Sequence, residues 1–138
     1  MAIKIYCVGK IKDDYITKGI EHFTKNENIT IIEIDDEKAP EKLSEKEIEN
    51  IKNIEGDKLL CKIPSDEFLV ALAIDGKEFS DIDLKNLKVT TENLSFVIGG
   101  SLGLSKKILS RANLKISFGK MTYTHQHMRL ILAQCLYN

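Results

Sequence analysis

Short apolar runs alternate along the chain with longer amphipathic stretches, and the two periods mark out its elements. Ile3, Ile5 and Cys7 alternate with Lys4 and Tyr6, the period of a half-buried strand, and the run ends at Gly9. Asp13 or Asp14 is suited to cap the next helix, in which Ile16, Ile20 and Phe23 share a face. Ile29 to Ile34 is rich in β-branched residues and predicts a second strand, followed by a charged loop from Asp35 to Glu41 that holds Pro40. Ser44 and Glu47 have capping-box spacing and open a helix with Ile48, Ile51 and Leu59 turned inward.

The second half is more apolar. Phe68 to Ile74 is continuously hydrophobic, as expected of a central parallel strand covered on both faces, and it ends at the turn pair Asp75-Gly76. A short helix follows from about Ser80 to Leu87, then an apolar strand from Leu94 to Ile98 running into Gly99-Gly100. Ser105 is suited to cap a brief helix, Leu114 to Phe118 predicts a last strand, and His125 to Tyr137 predicts a strongly apolar helix. Strands and helices alternating, roughly five of each, predict an α/β fold with a mainly parallel sheet flanked by helices. No internal repeat or linker divides the sequence, so one domain is expected over residues 1–138.

Composition changes this picture little. Hydrophobic residues at 43% and charged residues at 30% describe an ordinary globular chain. No apolar run approaches the roughly 20 residues that span a bilayer. The start of the chain also lacks a signal-peptide pattern, so a cytoplasmic location without membrane attachment is expected. Cys7, Cys61 and Cys135 are far apart, form no zinc-type cluster with the histidines, and are expected to be buried as small apolar residues.

Charge changes it more. The net charge is −1, yet residues 1–92 hold 14 Lys and Arg against 21 Asp and Glu, while residues 93–138 hold six basic residues and no acid. That acid-free end carries Lys106, Lys107, Arg111, Lys115, Lys120 and Arg129. It suits an anionic partner such as RNA, or the two ends neutralise each other across the fold.

In open α/β sheets ligands bind beyond the carboxyl ends of the central strands, which singles out the loops after Ile74, Ile98 and Phe118. Gly99, Gly100 and Gly103 permit close backbone approach, but their spacing is not that of a dinucleotide-binding fingerprint. Phe118-Gly119-Lys120-Met121-Thr122-Tyr123 mixes apolar side chains and a hydroxyl directly before a helix, a segment suited to packing on an adenine ring. His125 and Arg129 are four apart and share a helix face. For Arg129 an anion-binding role and a structural ion pair are both open; for His127 capping or packing is expected. No metal is expected, because residues two apart on a helix diverge. A helix as apolar as His125 to Tyr137 needs burial on nearly every side, which in so small a domain points to a subunit interface.

These residues resemble a known family. Phe96 to Ser105, Ile116 to Thr122, His125-Gln126, Arg129 and Leu136-Tyr137 are together similar to the SPOUT-class methyltransferases that act on pseudouridine in large-subunit ribosomal RNA. Val8-Gly9-Lys10 and Leu72 to Lys77 are similar too, so the resemblance runs through the whole chain in order. It implies an α/β knot, with the C-terminal segment threaded through a loop. It also implies a homodimer that uses S-adenosylmethionine to methylate N3 of a pseudouridine in large-subunit rRNA of assembled ribosomes. Carried over by position, the cofactor contacts would be Leu72, Gly99, Phe118, Gly119, Lys120, Met121, Thr122 and Tyr123. His125 and Arg129 are the catalytic candidates, and Lys106, Lys107, Arg111 and Lys115 the RNA-facing ones.

Two departures from the family pattern stand out. Thr124 occupies a position where the family usually has proline, and family chains continue past the position of Tyr137 with a tail ending in Tyr-His-basic. Because the sequence stops at Asn138, a shortened RNA- or ribosome-binding knot protein without turnover is an alternative expectation, and a small flavodoxin-like nucleotide-binding protein is another.

Overall fold

A computed structural model of the chain describes residues 2–25, 27–37, 42–119, 121 and 123–137. Among them five strands, β1 (Ile3–Val8), β2 (Ile29–Ile34), β3 (Phe68–Glu78), β4 (Leu94–Ile98) and β5 (Leu114–Ser117), form one sheet in the order β2-β1-β4-β3-β5. Every pairing is parallel. Parallel strands need crossovers, and these are supplied by α1 (Asp14–Thr24), α2 (Glu45–Lys62), α3 (Asp81–Thr90) and α4 (Lys106–Arg111), with α5 (His125–Leu136) closing the fold. The order departs from the flavodoxin arrangement, in which the third, fourth and fifth strands lie side by side in sequence. The flavodoxin-like alternative therefore fails on topology.

Alternate residues of each strand feed two cores. Ile5, Cys7, Val70, Phe96, Ile98 and Ile116 pack with Leu84 of α3 and with Leu132 and Leu136 of α5. Tyr6, Val8, Leu69, Ala71 and Val97 pack on the opposite face with Leu59 of α2 and Ile108 of α4. Burial on both faces explains why these strands are hydrophobic runs instead of alternating ones. The expected capping box of α2 is present: Ser44 accepts from the backbone N–H of Glu47, whose carboxylate accepts from that of Ser44. Ser80 and Asp83 repeat the device at α3, and Ser105 caps α4.

β3 departs from its expected course. The chain leaves the ladder after Leu72 and re-enters at Lys77, so that both residues pair with Ile116. Asp75-Gly76 therefore marks an excursion within the strand and not its end. Its tip is open: Ile74 is 90% exposed, and full burial holds only for Leu69 to Ala71. β5 stops one residue early because the Ser117 hydroxyl closes a local turn, donating to the carbonyl of Gly119 and accepting from its N–H. α3 runs on to Thr90, where the hydroxyl of Thr90 donates to the carbonyl of Asn86.

Smaller differences concern burial. Cys7 is buried and Cys135 half-buried, but Cys61 is exposed on the outer face of α2, against expectation. α5 buries Arg129, Leu132, Ala133 and Leu136 within this chain, while Gln134 is exposed and Leu130 and Ile131 are half-buried. Its apolar excess is thus a flank, not a full circumference. Of the predicted loop from Asp35 to Glu41, residues 38–41 with Pro40 lie outside the described residues.

Candidate active site at the carboxyl ends of the strands

The excursion within β3 and the loops that follow β4 and β5 surround one cavity of ≈ 570 Å³. Leu72, Gly99, Phe118, Gly119, Met121 and Tyr123, all predicted from sequence, line it together, and Thr124, His125 and Met128 add a wall from the start of α5. Lys120 and Thr122 lie outside the described residues. Its size falls within the roughly 300–1,000 Å³ of small-molecule sites, and its walls are mostly apolar with backbone amides and carbonyls interspersed.

The Gly99 turn is tight. The N–H of Gly103 donates to the carbonyl of Gly100 at 3.1 Å, closing a small antiparallel bridge. A Cβ on Gly99 would stand 2.8 Å from the carbonyl carbon of Gly103, so only glycine lets the two limbs approach. Gly119 supplies the other turn, with φ of +104° in the region that side chains disfavour.

Ala73, Ile74, Leu102 and Met128 also line the cavity and were not singled out in the sequence. In the sequence the apolar run to Ile74 has the pattern of strand core; its exposed end at the cavity comes from the excursion of β3. Met128 was legible only as one more apolar residue of the helix.

The start of α5 holds two histidines in different roles. Thr124 caps the helix, accepting from the backbone N–H of His127 at 3.2 Å. Its φ of −65° is the value proline would impose, so the departure at this position keeps the backbone and adds a cap. His127 is held from both sides, with Nδ1 2.7 Å from the Thr124 hydroxyl and Nε2 2.9 Å from that of Tyr15. It packs against Tyr15 and gives its backbone N–H to the Thr124 cap. His125 instead faces the cavity, half-buried. Burial and then the positive charge of Arg129 hold its ring below the usual imidazole range; Lys12 acts in the same direction and Asp36 opposes.

Arg129 does not line the cavity. It is fully buried and donates to Oε2 of Glu33 at 2.8 Å and to the carbonyls of Val8 and Gly9 at 2.7 and 2.8 Å. Of the two roles open from sequence, the structure gives it the ion pair, with Glu33 as the partner that sequence reasoning missed. A buried charge of this kind requires such pairing, since an uncompensated guanidinium is strongly destabilising.

The basic end is less free than its charge count implies. Lys107 pairs with Asp57 at 3.2 Å, and both side chains remain exposed. Arg111 donates to the carbonyls of Pro64 and Glu67 and to the side chain of Asn113, tying α4 to the start of β3. Lys106 and Lys115 are exposed. Of the four predicted RNA-facing residues, two are therefore engaged within the fold. Among the described residues no group of three or more His, Cys, Asp or Glu is arranged to hold a metal ion, and no helix is long and apolar enough to cross a membrane.

Comparison with known proteins agrees with this architecture. The profile of a family described as predicted SPOUT methyltransferase matches residues 1–138. Proteins named ribosomal RNA large subunit methyltransferase H from Ligilactobacillus salivarius, Clostridioides difficile and Enterococcus faecalis are 48%, 49% and 46% identical to the chain. Each match takes in 99% of this chain and 92% of the relative.

Proposed function

The chain belongs to the SPOUT methyltransferase family, and from that premise we propose that it methylates large-subunit ribosomal RNA with S-adenosylmethionine as donor. In this reading the target is N3 of a pseudouridine in assembled ribosomes. The observation that carries it is the convergence of Leu72, Gly99, Phe118, Gly119, Met121 and Tyr123 on one cavity of cofactor size.

Apolar walls suit the adenine and the methionine chain of the cofactor, and the turn backbones at Gly99 and Gly119 offer amides and carbonyls for its polar edges. Leu72, Gly99, Phe118, Gly119, Met121 and Tyr123 would hold it, with Lys120 and Thr122 in the same set. When bound, S-adenosylmethionine supplies a methyl group already activated by its sulfonium.

The work left to the chain is alignment and deprotonation. Its loops must hold the imide nitrogen in line with the donor, roughly 3–3.5 Å away. His125 takes the imide proton: burial and the Arg129 charge disfavour its cation and favour the neutral ring, and a neutral imidazole accepts a proton. Arg129 acts at one remove, through its grip on the strand ends.

Lys106 and Lys115 form the RNA-facing surface in this account, working through phosphate charge. A second copy of the chain covers the half-buried flank of α5, and the C-terminal segment threads through a loop to form the knot. In this reading the protein acts in the cytoplasm, where assembled ribosomes are its substrate.

The test is methyl transfer from labelled S-adenosylmethionine to large ribosomal subunits that lack the modification, with the product nucleoside identified by mass. Label in 3-methylpseudouridine is the expected result. Cofactor binding by calorimetry without any transfer would favour a ribosome-binding protein without turnover; no cofactor binding at high micromolar concentration would overturn the reading altogether.

A further inference from the structure

One side chain of α5 reaches the two strands that carry no cavity-lining residue. Arg129 is wholly buried on α5, yet its hydrogen bonds go to Glu33 of β2 and to the carbonyls of Val8 and Gly9 at the end of β1. Its Nε has no partner, so the three acceptors at the strand ends alone determine where the guanidinium lies. The same Glu33 oxygen accepts from the N–H of Ile11 at 3.3 Å, and the N–H of Lys12 donates to the side-chain oxygen of Gln126 at 3.3 Å. The segment after β1 is thereby fastened to the first turn of α5 at several points. That turn carries His125 into the cavity wall, one helical turn from Arg129.

We propose that Arg129 is a positioning residue: paired with Glu33 and bound to the carbonyls of Val8 and Gly9, it fixes the first turn of α5, and with it His125, against the cavity. The charge of the clamp reaches His125 as well as its geometry. Among the described residues, the charged groups that bear on the ring are Arg129 from α5, Lys12 from the segment after β1 and Asp36 from the loop after β2. Glu33 tempers the field of Arg129 by direct pairing at 2.8 Å. Removing the Glu33 charge therefore leaves the field of Arg129 at the ring less offset.

This inference rests on the methyltransfer reading for its effect on turnover, and on the observed contacts for the rest. The experiment follows the His125 ring by NMR titration, its signal assigned with His125→Gln, in the wild-type chain, Arg129→Met, Arg129→Lys and Glu33→Gln. The midpoint is expected to rise in Arg129→Met and to fall in Glu33→Gln, where the amide still accepts but no longer offsets the guanidinium. Single-turnover methyl transfer is expected to slow by about a hundredfold in Arg129→Met, the order of loss for a small misplacement near the reacting groups. Arg129→Lys is expected to restore the midpoint toward the wild-type value. A midpoint unmoved in both Arg129→Met and Glu33→Gln, or an unchanged transfer rate in folded Arg129→Met, overturns the proposal. Should Arg129→Met not fold, Glu33→Gln decides: a lowered midpoint supports the clamp and an unmoved one overturns it. Absence of transfer by the wild-type chain would remove the methyltransfer reading, while the titrations still judge the clamp.

Discussion

Gly76 runs directly against the backbone of Ile116: a Cβ at Gly76 would lie 2.7 Å from both the nitrogen and the carbonyl carbon of Ile116. The neighbour is main chain, so no side-chain rotation relieves the overlap. At this contact β3 re-enters the ladder beside Lys77, after an excursion whose Ala73 and Ile74 line the cavity. Gly76→Ala is therefore expected to destabilise the fold by about 1–3 kcal/mol through overpacking and to weaken cofactor binding. Urea unfolding and calorimetry check both effects; wild-type stability in the variant would show that the excursion is free to shift.

His125 carries the proton transfer in this account. His125→Gln is expected to slow methyl transfer by roughly 10²–10⁴-fold with cofactor affinity retained. The ring's proton affinity is lowered in the folded chain, so its neutral form persists to lower pH than in a free imidazole. Activity is accordingly expected to fall on acidification only below the ordinary histidine value of 6.5. A pH–rate profile with its acid limb above that value would contradict the role.

The exposed cations at the basic end divide from the engaged ones. Lys106→Glu with Lys115→Glu is expected to weaken ribosome association and to flatten its salt dependence, leaving stability and cofactor binding unchanged. Arg111→Ala, which removes bonds to the carbonyls of Pro64 and Glu67, is expected to cost about 1.5–3 kcal/mol of stability instead. Sedimentation with ribosomes at several salt concentrations, read beside thermal unfolding, separates the two outcomes.

Glu55 offers a stability test. It is buried on α2, accepts from the N–H of Glu37 at 2.9 Å, and has its proton affinity raised above the ordinary 4.5, first by burial. A carboxyl raised in the folded state favours folding while protonated and loses that contribution as pH rises through its folded value. Glu55→Gln keeps the acceptor and removes the charge. Its stability relative to wild type is expected to increase from pH 4.5 upward, measured by urea unfolding across pH. A constant difference over that range would show that Glu55 is not penalised by burial.

Much of this architecture was legible locally. Ile29–Ile34 and Leu94–Ile98 were predicted to the residue because β-branched or apolar runs end abruptly at charged or glycine positions. The loops at Gly99 and Gly119 were legible because ligand sites of parallel sheets lie at strand ends, whereas Leu72 entered only through the family resemblance. What stayed hidden was tertiary. The re-entry of β3 depends on Ile116, and the role of Arg129 depends on Glu33, which lies 96 positions away with no local signal. The charge count overstated the RNA surface for the same reason: Arg111 is used up by backbone carbonyls that composition cannot display.

The most direct measurement is methyl transfer to large ribosomal subunits that lack the modification, run with the wild-type chain and with Gly99→Ala, whose added Cβ would crowd the Gly103 backbone at 2.8 Å. The account predicts label in a single 3-methylpseudouridine with the wild-type chain and little with the variant. Label on another nucleotide, or no label from a wild-type chain that is folded and supplied with cofactor, would contradict it.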